Sequence, residues 1–412
     1  MLVAFSFPSL GRDAVAAQGS GGQDAAAEPQ PGRQRSTAGK EASAEPPAVL
    51  PVDVAWTTEL DAGPLHLPAY DGTRAFISLR NGELVAVDLR TGELVWSVAQ
   101  PADQAPVAGG GVVIVAGAGE LIALRAGDGL PHWRLPLADR VAAPLLLNTG
   151  WLIVAMASGE LLALRAPDGR EMWRRPLHGT PTVQPAIAGE RLLVSLSDGR
   201  IATLALGTGA VLWERELSGR PQGILPLDAV FVGATDNHMY RLSLENGDYE
   251  WYWRAGGDIV GTPAADADRV YFTARDNVLR ALDRGNGARR WRVYLAGRPV
   301  VGPVPIGSVL AVSGVSPTVT FFDAETGQPA GEYEAPGDLA APPHSLPNAV
   351  PPDPRLTLLT RDGEIIGLAA AVGPLRLDLG FPPHPFLPLP ERLSPAFMAE
   401  WHELRGPGPP IR

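Results

Sequence analysis

From Val52 onward the chain is written in short apolar runs of four to seven residues, each bounded by a turn dipeptide. Some runs alternate apolar with polar positions and others are apolar throughout. These are the patterns of half-buried and fully buried strands. Thr91-Gly92, Asp128-Gly129, Asp168-Gly169, Asn246-Gly247 and Asn286-Gly287 predict tight hairpins, because glycine accepts the positive φ that such turns demand. A second set of turns precedes most of these: Asn81-Gly82, Ser158-Gly159, Asp198-Gly199, Asp236-Asn237, Asp276-Asn277 and Asp362-Gly363. Two more short apolar runs lie upstream of each pair, at 145–147 and 152–156 in one unit. The count is four strands in about 40 residues, the size of one propeller blade.

The unit repeats. The segment 83–96 recurs so that a glycine stands four residues before a tryptophan six times: Gly92 and Trp96, Gly129 and Trp133, Gly169 and Trp173, Gly209 and Trp213, Gly247 and Trp251, Gly287 and Trp291. A seventh copy keeps Gly327 but has Gly331 where tryptophan is expected, and an eighth keeps Gly373 with Leu377 in that place. The glycines lie 37 to 40 residues apart until the last interval of 46. Trp56 precedes any inner strands of its own, yet stands 40 residues before Trp96, in register with the repeat. We therefore expect an all-β, eight-bladed propeller of four-stranded antiparallel blades over 52–380. The Trp56 strand should form the outer edge of the last blade, with 374–379 as the alternative occupant of that edge. One sheet cannot bury both its faces, so the recurrent indoles predict a filling between adjacent blades, removing roughly 150–250 Å² each from water. Small residues six positions before the turn glycine, Ala86, Ala123, Ala163 and Ala281, predict room for a neighbouring ring.

Composition narrows the function. The chain has 412 residues, enough for a large core, and its net charge of −11 argues against nucleic acid, whose phosphates repel an acidic surface. There is no cysteine, so disulfides, thiolate metal sites and an acylated cysteine are excluded. No apolar stretch is long enough for a transmembrane helix. The seven histidines (His66, His132, His178, His238, His344, His384, His402) are scattered, without ligand spacing. Asp236-Asn237 and Asp276-Asn277 could offer calcium oxygens, but they fall at equivalent turn positions, which favours a structural role. No nucleophile elbow, phosphate loop or dinucleotide fingerprint is present. No catalytic, cofactor-binding or metal-binding residue is therefore assigned.

The pattern Ala86-x-Asp88-x-x-Thr91-Gly92-x-x-x-Trp96 resembles the tryptophan-docking motif of pyrroloquinoline-quinone-type propeller repeats. Asp88 recurs as Asp283 and Asp323 and departs to Arg125, Arg165, Ala205 and Ser243. The resemblance spans 54–379. It implies one of two relationships: quinoprotein dehydrogenases, which hold the quinone and a calcium ion on the propeller axis, or the outer-membrane assembly factor BamB and its relatives, which bind partner proteins and no cofactor. Compact blades and absent cysteine make the chain more similar to the second. The expectation is a cofactor-free, monomeric scaffold that binds proteins in the cell envelope. The alternatives are a quinone- and calcium-dependent dehydrogenase or a small-ligand sensor using the axial channel. BamB relatives are usually lipoproteins, and without cysteine this chain is expected to be exported, periplasmic or envelope-associated, but not lipid-anchored.

The flanks complete the expectations. Residues 1–51 combine an apolar start (2–10), small residues suited to signal cleavage (14–17) and a linker without apolar periodicity. No Lys or Arg precedes the apolar run and Pro8 interrupts it, so a disordered start and a signal peptide lacking its basic beginning are both open. The proline-rich insertion 341–354, with Pro342, Pro343, Pro351 and Pro352, is a candidate partner contact, with a passive long connection as the alternative. So is the tail 381–412. There Ser394-Pro395 predicts a short helix over 394–405 carrying Phe397 and Trp401 on one face, which either docks on the propeller's own side or seats in a partner's groove.

Overall fold

The computed structural model describes residues 51–314, 316–346 and 356–370. These residues form eight four-stranded antiparallel sheets and no α-helix. Seven sheets are continuous in sequence: blades 1 to 7 occupy 69–99, 107–136, 146–176, 186–216, 221–254, 259–294 and 304–334. Blade 8 takes three strands from 344–370, and its fourth is Val52–Glu59, antiparallel to Glu364–Ala370, with Trp56 opposite Gly367. The second strands are buried almost throughout and the third strands largely so, least in blades 5 and 7, while the outer strands mostly alternate between exposed and half-buried positions. The core is correspondingly divided. Each of its eight apolar clusters draws on two neighbouring sheets, as Ile114 and Leu121 of blade 2 pack with Leu152 and Leu164 of blade 3. The set forms a ring, because Ala75, Ile77 and Val87 of blade 1 pack with Leu359 and Ile365 of blade 8. His344 stacks on Tyr70 across that seam at 3.5 Å between ring centroids.

Seven indoles recur at these seams. The rings of Trp56, Trp96, Trp133, Trp173, Trp213, Trp251 and Trp291 lie over the turn glycines of the following blade: Gly92, Gly129, Gly169, Gly209, Gly247, Gly287 and Gly327. All seven glycines have positive φ, and a Cβ on Gly209 would stand 2.6 Å from Cε3 of Trp173. Six of the indoles donate Nε1–H to a carbonyl of the next blade, from Trp96 to Ala126 (3.0 Å) round to Trp291 on Ala324 (3.2 Å). Nε1 of Trp56 is buried and has no acceptor among the described residues.

The small residues differ from expectation. Ala86, Ala123, Ala163 and Ala281 pair directly with the tryptophan of their own sheet, so the room they leave serves that ring and not a neighbour's. Blade 7 inverts the pair. Its Gly331 stands where tryptophan is expected, and the buried Phe321 lies opposite it, supplying from the third strand the bulk that the outer strand lacks. A bulge follows this cross-strand pair in each of blades 1 to 7. The hairpin beyond it is fixed by local polar contacts. Asp88 accepts from the backbone N–H of Arg90 and Thr91 (both 2.9 Å), and where arginine replaces that aspartate, Arg125 pairs with Asp128. The eighth-copy positions Gly373 and Leu377, and the alternative edge segment 374–379, lie outside the described residues.

Candidate interaction face

In an antiparallel blade the strands run alternately, so the connections sort themselves onto two rims. One carries the glycine hairpins. The other gathers the turns between second and third strands together with the linkers from each outer strand to the next blade's inner strand. On this linker rim, side chains tie linker to turn. Asp103 accepts from the N–H of Ala118 (3.1 Å), Asp139 from that of Ser158 (2.6 Å), and Asp276 from that of Gly256 (2.9 Å). The N–H of Arg140 also donates to Asp139 (2.7 Å), and this bond, with those from Ser158, holds the Asp139 carboxyl below its ordinary range.

Two clefts open between neighbouring blades on this rim. The first, about 490 Å³, lies between blades 2 and 3, with Asp103, Gln104, Glu120, Asp139 and the exposed Arg140 among its walls. The second, about 420 Å³, lies between blades 5 and 6. Trp253 forms one wall and Arg280, Arg292 and Tyr294 the other, with Gly256 and Asp276 between them. Arg280 is only 5% exposed. It forms a two-pronged pair with Asp276, and its guanidinium carbon lies 5.4 Å from the centroid of the Trp253 ring. Burial pushes the Asp276 carboxyl up, but the hydrogen bonds and charge of Arg280 outweigh it and hold the group ionised below its usual range. Tyr294 is 70% exposed, with the Arg292 guanidinium 5.6 Å from its ring centroid.

The axial side is chemically different. A cavity of about 310 Å³ abuts the inner strands of blades 3 to 6 and is lined by Leu146, Asn148, Val183, Gln184, Ile187, Ile224 and Thr262 among others. Its polar groups are two amides and a hydroxyl, and Gln184 already donates to the carbonyl of Leu145 (2.7 Å). Calcium calls for several oxygen ligands, chiefly carboxylates, and an anionic quinone calls for cationic donors. The described wall offers neither, so its residues do not fit the quinone and calcium pair of the dehydrogenases that share this repeat. Among the described residues no group of three or more His, Asp or Glu is placed to hold a metal.

Of the contact residues expected from sequence, Pro342 is half-buried and Pro343 buried, in the linker that enters blade 8 on the linker rim. Pro351, Pro352, Phe397 and Trp401 lie outside the described residues, as do the linker 1–50 and the tail 381–412. Neither rim cleft was anticipated. The signal lay in blade 6, where arginine occupies a third-strand position that is Val85, Ile122, Leu162, Ala202 and Ile366 in other blades.

Sheets, seams and rims define a β-propeller of the pyrroloquinoline-quinone-like class, with eight four-stranded blades. Within that class, residues 28–117, 80–228 and 224–312 match the family described as outer membrane protein assembly factor BamB, and the chain belongs to that family. The BamB of Legionella pneumophila (strain Paris) is 24% identical over 121 residues, a match covering 29% of this chain and 31% of that protein. Among solved structures, BamB from Moraxella catarrhalis superposes with a TM-score of 0.60 at 21% identity, covering 77% of this chain and 99% of that one. Quinohemoprotein alcohol dehydrogenase from Comamonas testosteroni gives 0.64 at 13% identity, covering 85% and 80%. At these identities the likenesses establish the fold alone. No helix among the described residues is long and apolar enough to cross a membrane.

Proposed function

We propose that this chain is a non-catalytic scaffold of the cell envelope that binds partner proteins through its linker rim. The observation that carries this reading is the contrast between two surfaces. The linker rim presents two clefts with charged side chains in their walls, one of them also walled by Trp253 and Tyr294, whereas the cavity against the inner strands of blades 3 to 6 has no charged group among its lining residues. Arginine, tryptophan and tyrosine are the side chains that contribute most at protein interfaces, because they bury large areas while offering directional hydrogen bonds. Membership of an assembly-factor family supports the same assignment. The proline segment with Pro351 and Pro352, and the tail with Phe397 and Trp401, are proposed as further contacts.

The test has two arms. Full-length protein and a version ending near Gly380 are used to capture proteins from an envelope fraction, and each captured protein is then purified and titrated against the chain. Specific binding of a purified partner, weakened by Arg140→Glu on the rim, is the expected result. In the second arm the protein is incubated with the quinone, calcium and an electron-accepting dye. Sustained dye reduction, or failure of every purified candidate to bind, overturns the scaffold reading.

A further inference from the structure

Blades 5 and 6 carry large polar side chains at a position that is aliphatic in five of the others and Thr320 in blade 7. The third-strand position that is aliphatic in blades 1 to 4 and 8 is Tyr240 in blade 5 and Arg280 in blade 6. A buried arginine at a seam position is not explained by stability. Removing a guanidinium and a carboxylate from water costs several kcal/mol, and aliphatic packing at such sites generally serves stability equally well. The pairing of Arg280 with Asp276 is also incomplete, because its buried Nε has no acceptor among the described residues. The surroundings continue the theme. Arg254 and Arg292 line the same cleft, are exposed, and have no carboxylate partner among the described residues, in a chain whose net charge is −11.

From these observations we infer that the cleft between blades 5 and 6 receives an acidic segment of a partner polypeptide, its carboxylates held by Arg280 and Arg292 and its carbon skeleton packed against Trp253 and Tyr294. This deepens, and rests on, the scaffold reading. Guanidinium groups match carboxylates in planar, charge-assisted geometry, and two aromatic walls suit the alkyl or aromatic part of a peptide. Asp276 lies at the cleft and keeps its negative charge, which disfavours the denser charge of a phosphate group. A cleft of about 420 Å³ is large enough for a few side chains of an extended segment.

The experiment is fluorescence anisotropy of a fluorescein-labelled peptide of alternating glutamate and phenylalanine, titrated with the full chain. A lysine–phenylalanine peptide and anionic phospholipid vesicles serve as comparisons. Arg292→Glu, at an exposed position, is expected to weaken peptide binding by about tenfold or more. Arg280→Leu combined with Asp276→Asn restores the aliphatic side chain found in blades 1 to 4 and 8. It is expected to keep or raise the melting temperature while weakening the peptide to the same degree. Arg90→Glu, exposed at the Gly92 hairpin on the opposite rim, should leave peptide binding unchanged. Equal binding of the lysine peptide, affinities of the cleft variants within about twofold of the parent, or vesicles displacing the peptide would each overturn the inference. If the variants leave a purified partner bound as tightly as the parent does, the cleft assignment fails and the scaffold reading survives. If no purified partner binds the parent chain, the scaffold reading fails as well.

Discussion

Substituting Gly209 by alanine tests the seam with one methyl group. Gly209 has φ of +67°, and a Cβ there would stand 2.6 Å from Cε3 and 2.9 Å from Cζ3 of Trp173. Two separable penalties follow. The left-handed backbone conformation costs an L-residue about 1–2 kcal/mol wherever it occurs. The steric penalty depends on the indole. Carbon atoms prefer about 3.5–4.0 Å, so the ring must retreat by roughly 1 Å. Retreat strains the bond from Trp173 Nε1 to the carbonyl of Leu206, 2.7 Å in the structure. Overpacking of this kind costs about 1–3 kcal/mol. Against both stands a gain of about 0.4–1 kcal/mol from the lower chain entropy of unfolded alanine. The net expectation is a loss of about 2–4 kcal/mol. The assay is a double-mutant cycle by urea denaturation with Trp173→Leu. In the leucine background only the backbone penalty should remain, about 1 kcal/mol net, giving a coupling of about 2 kcal/mol. A coupling under about 0.5 kcal/mol would show that ring and glycine do not share a seam, and the account of blade packing would fall.

Three other outcomes are expected. Burial depresses the His344 imidazole from 6.5 to about 4, so the unfolded chain binds its proton at higher pH than the folded one, and stability should fall as pH drops through that window. Allowing for its partial exposure the loss is up to about 2 kcal/mol; His344→Phe should flatten this part of the pH dependence in denaturation midpoints, and an unchanged slope would refute the assignment. The Trp133 Nε1 donates to Ala166 at 2.9 Å whereas that of Trp56 has no acceptor, so Trp133→Phe should cost about 1 kcal/mol more than Trp56→Phe, and equal losses in urea would contradict this. The buried hydroxyl of Thr203, opposite Trp213, has no partner among the described residues, so Thr203→Ala should leave stability unchanged or raise it by up to about 1 kcal/mol; a loss beyond that would reveal an unseen partner.

The architecture was legible because each blade is a local hairpin meander with its punctuation in sequence. The positive φ of Gly92 or Gly247 is demanded within a few residues, and period-2 alternation gives the strands. The pairing of Val52–Glu59 with blade 8 followed from a phase argument, since Trp56 keeps the repeat interval from Trp96. Contacts across strands were harder. That Ala86 accommodates Trp96 of its own sheet depends on register, which a bulge shifts just beyond the pair. The complementary exchange of Phe321 for alanine and Gly331 for tryptophan was written in the sequence, but it becomes an exchange only once the two are known to face each other. The rim clefts were least visible. Their walls come from residues such as Trp253 and Tyr294, on different blades and with no shared motif, and proximity between blades is set by ring geometry.

The repeat itself offers a criterion for separating structure from function here. Every blade solves the same packing problem, so a position filled by aliphatic residues in five blades defines what the seam requires there. Arg280 departs from that solution while the rest of blade 6 keeps it: Ala281 pairs with Trp291, Gly287 lies under Trp251, and Trp291 donates to Ala324. The scaffold around the arginine is therefore intact, and the departure is confined to one wall of one cleft. Phe321 and Gly331 also depart from the repeat, yet each supplies the volume the other lacks, so that pair restores packing and calls for no ligand. The ion pair of Arg280 with Asp276 compensates charge but leaves a buried donor unmet and an exposed Arg292 and Tyr294 beside it. A compensated departure is a repair. An uncompensated one, opening onto solvent at the rim where linkers gather, is where the demand of a partner is expected to act.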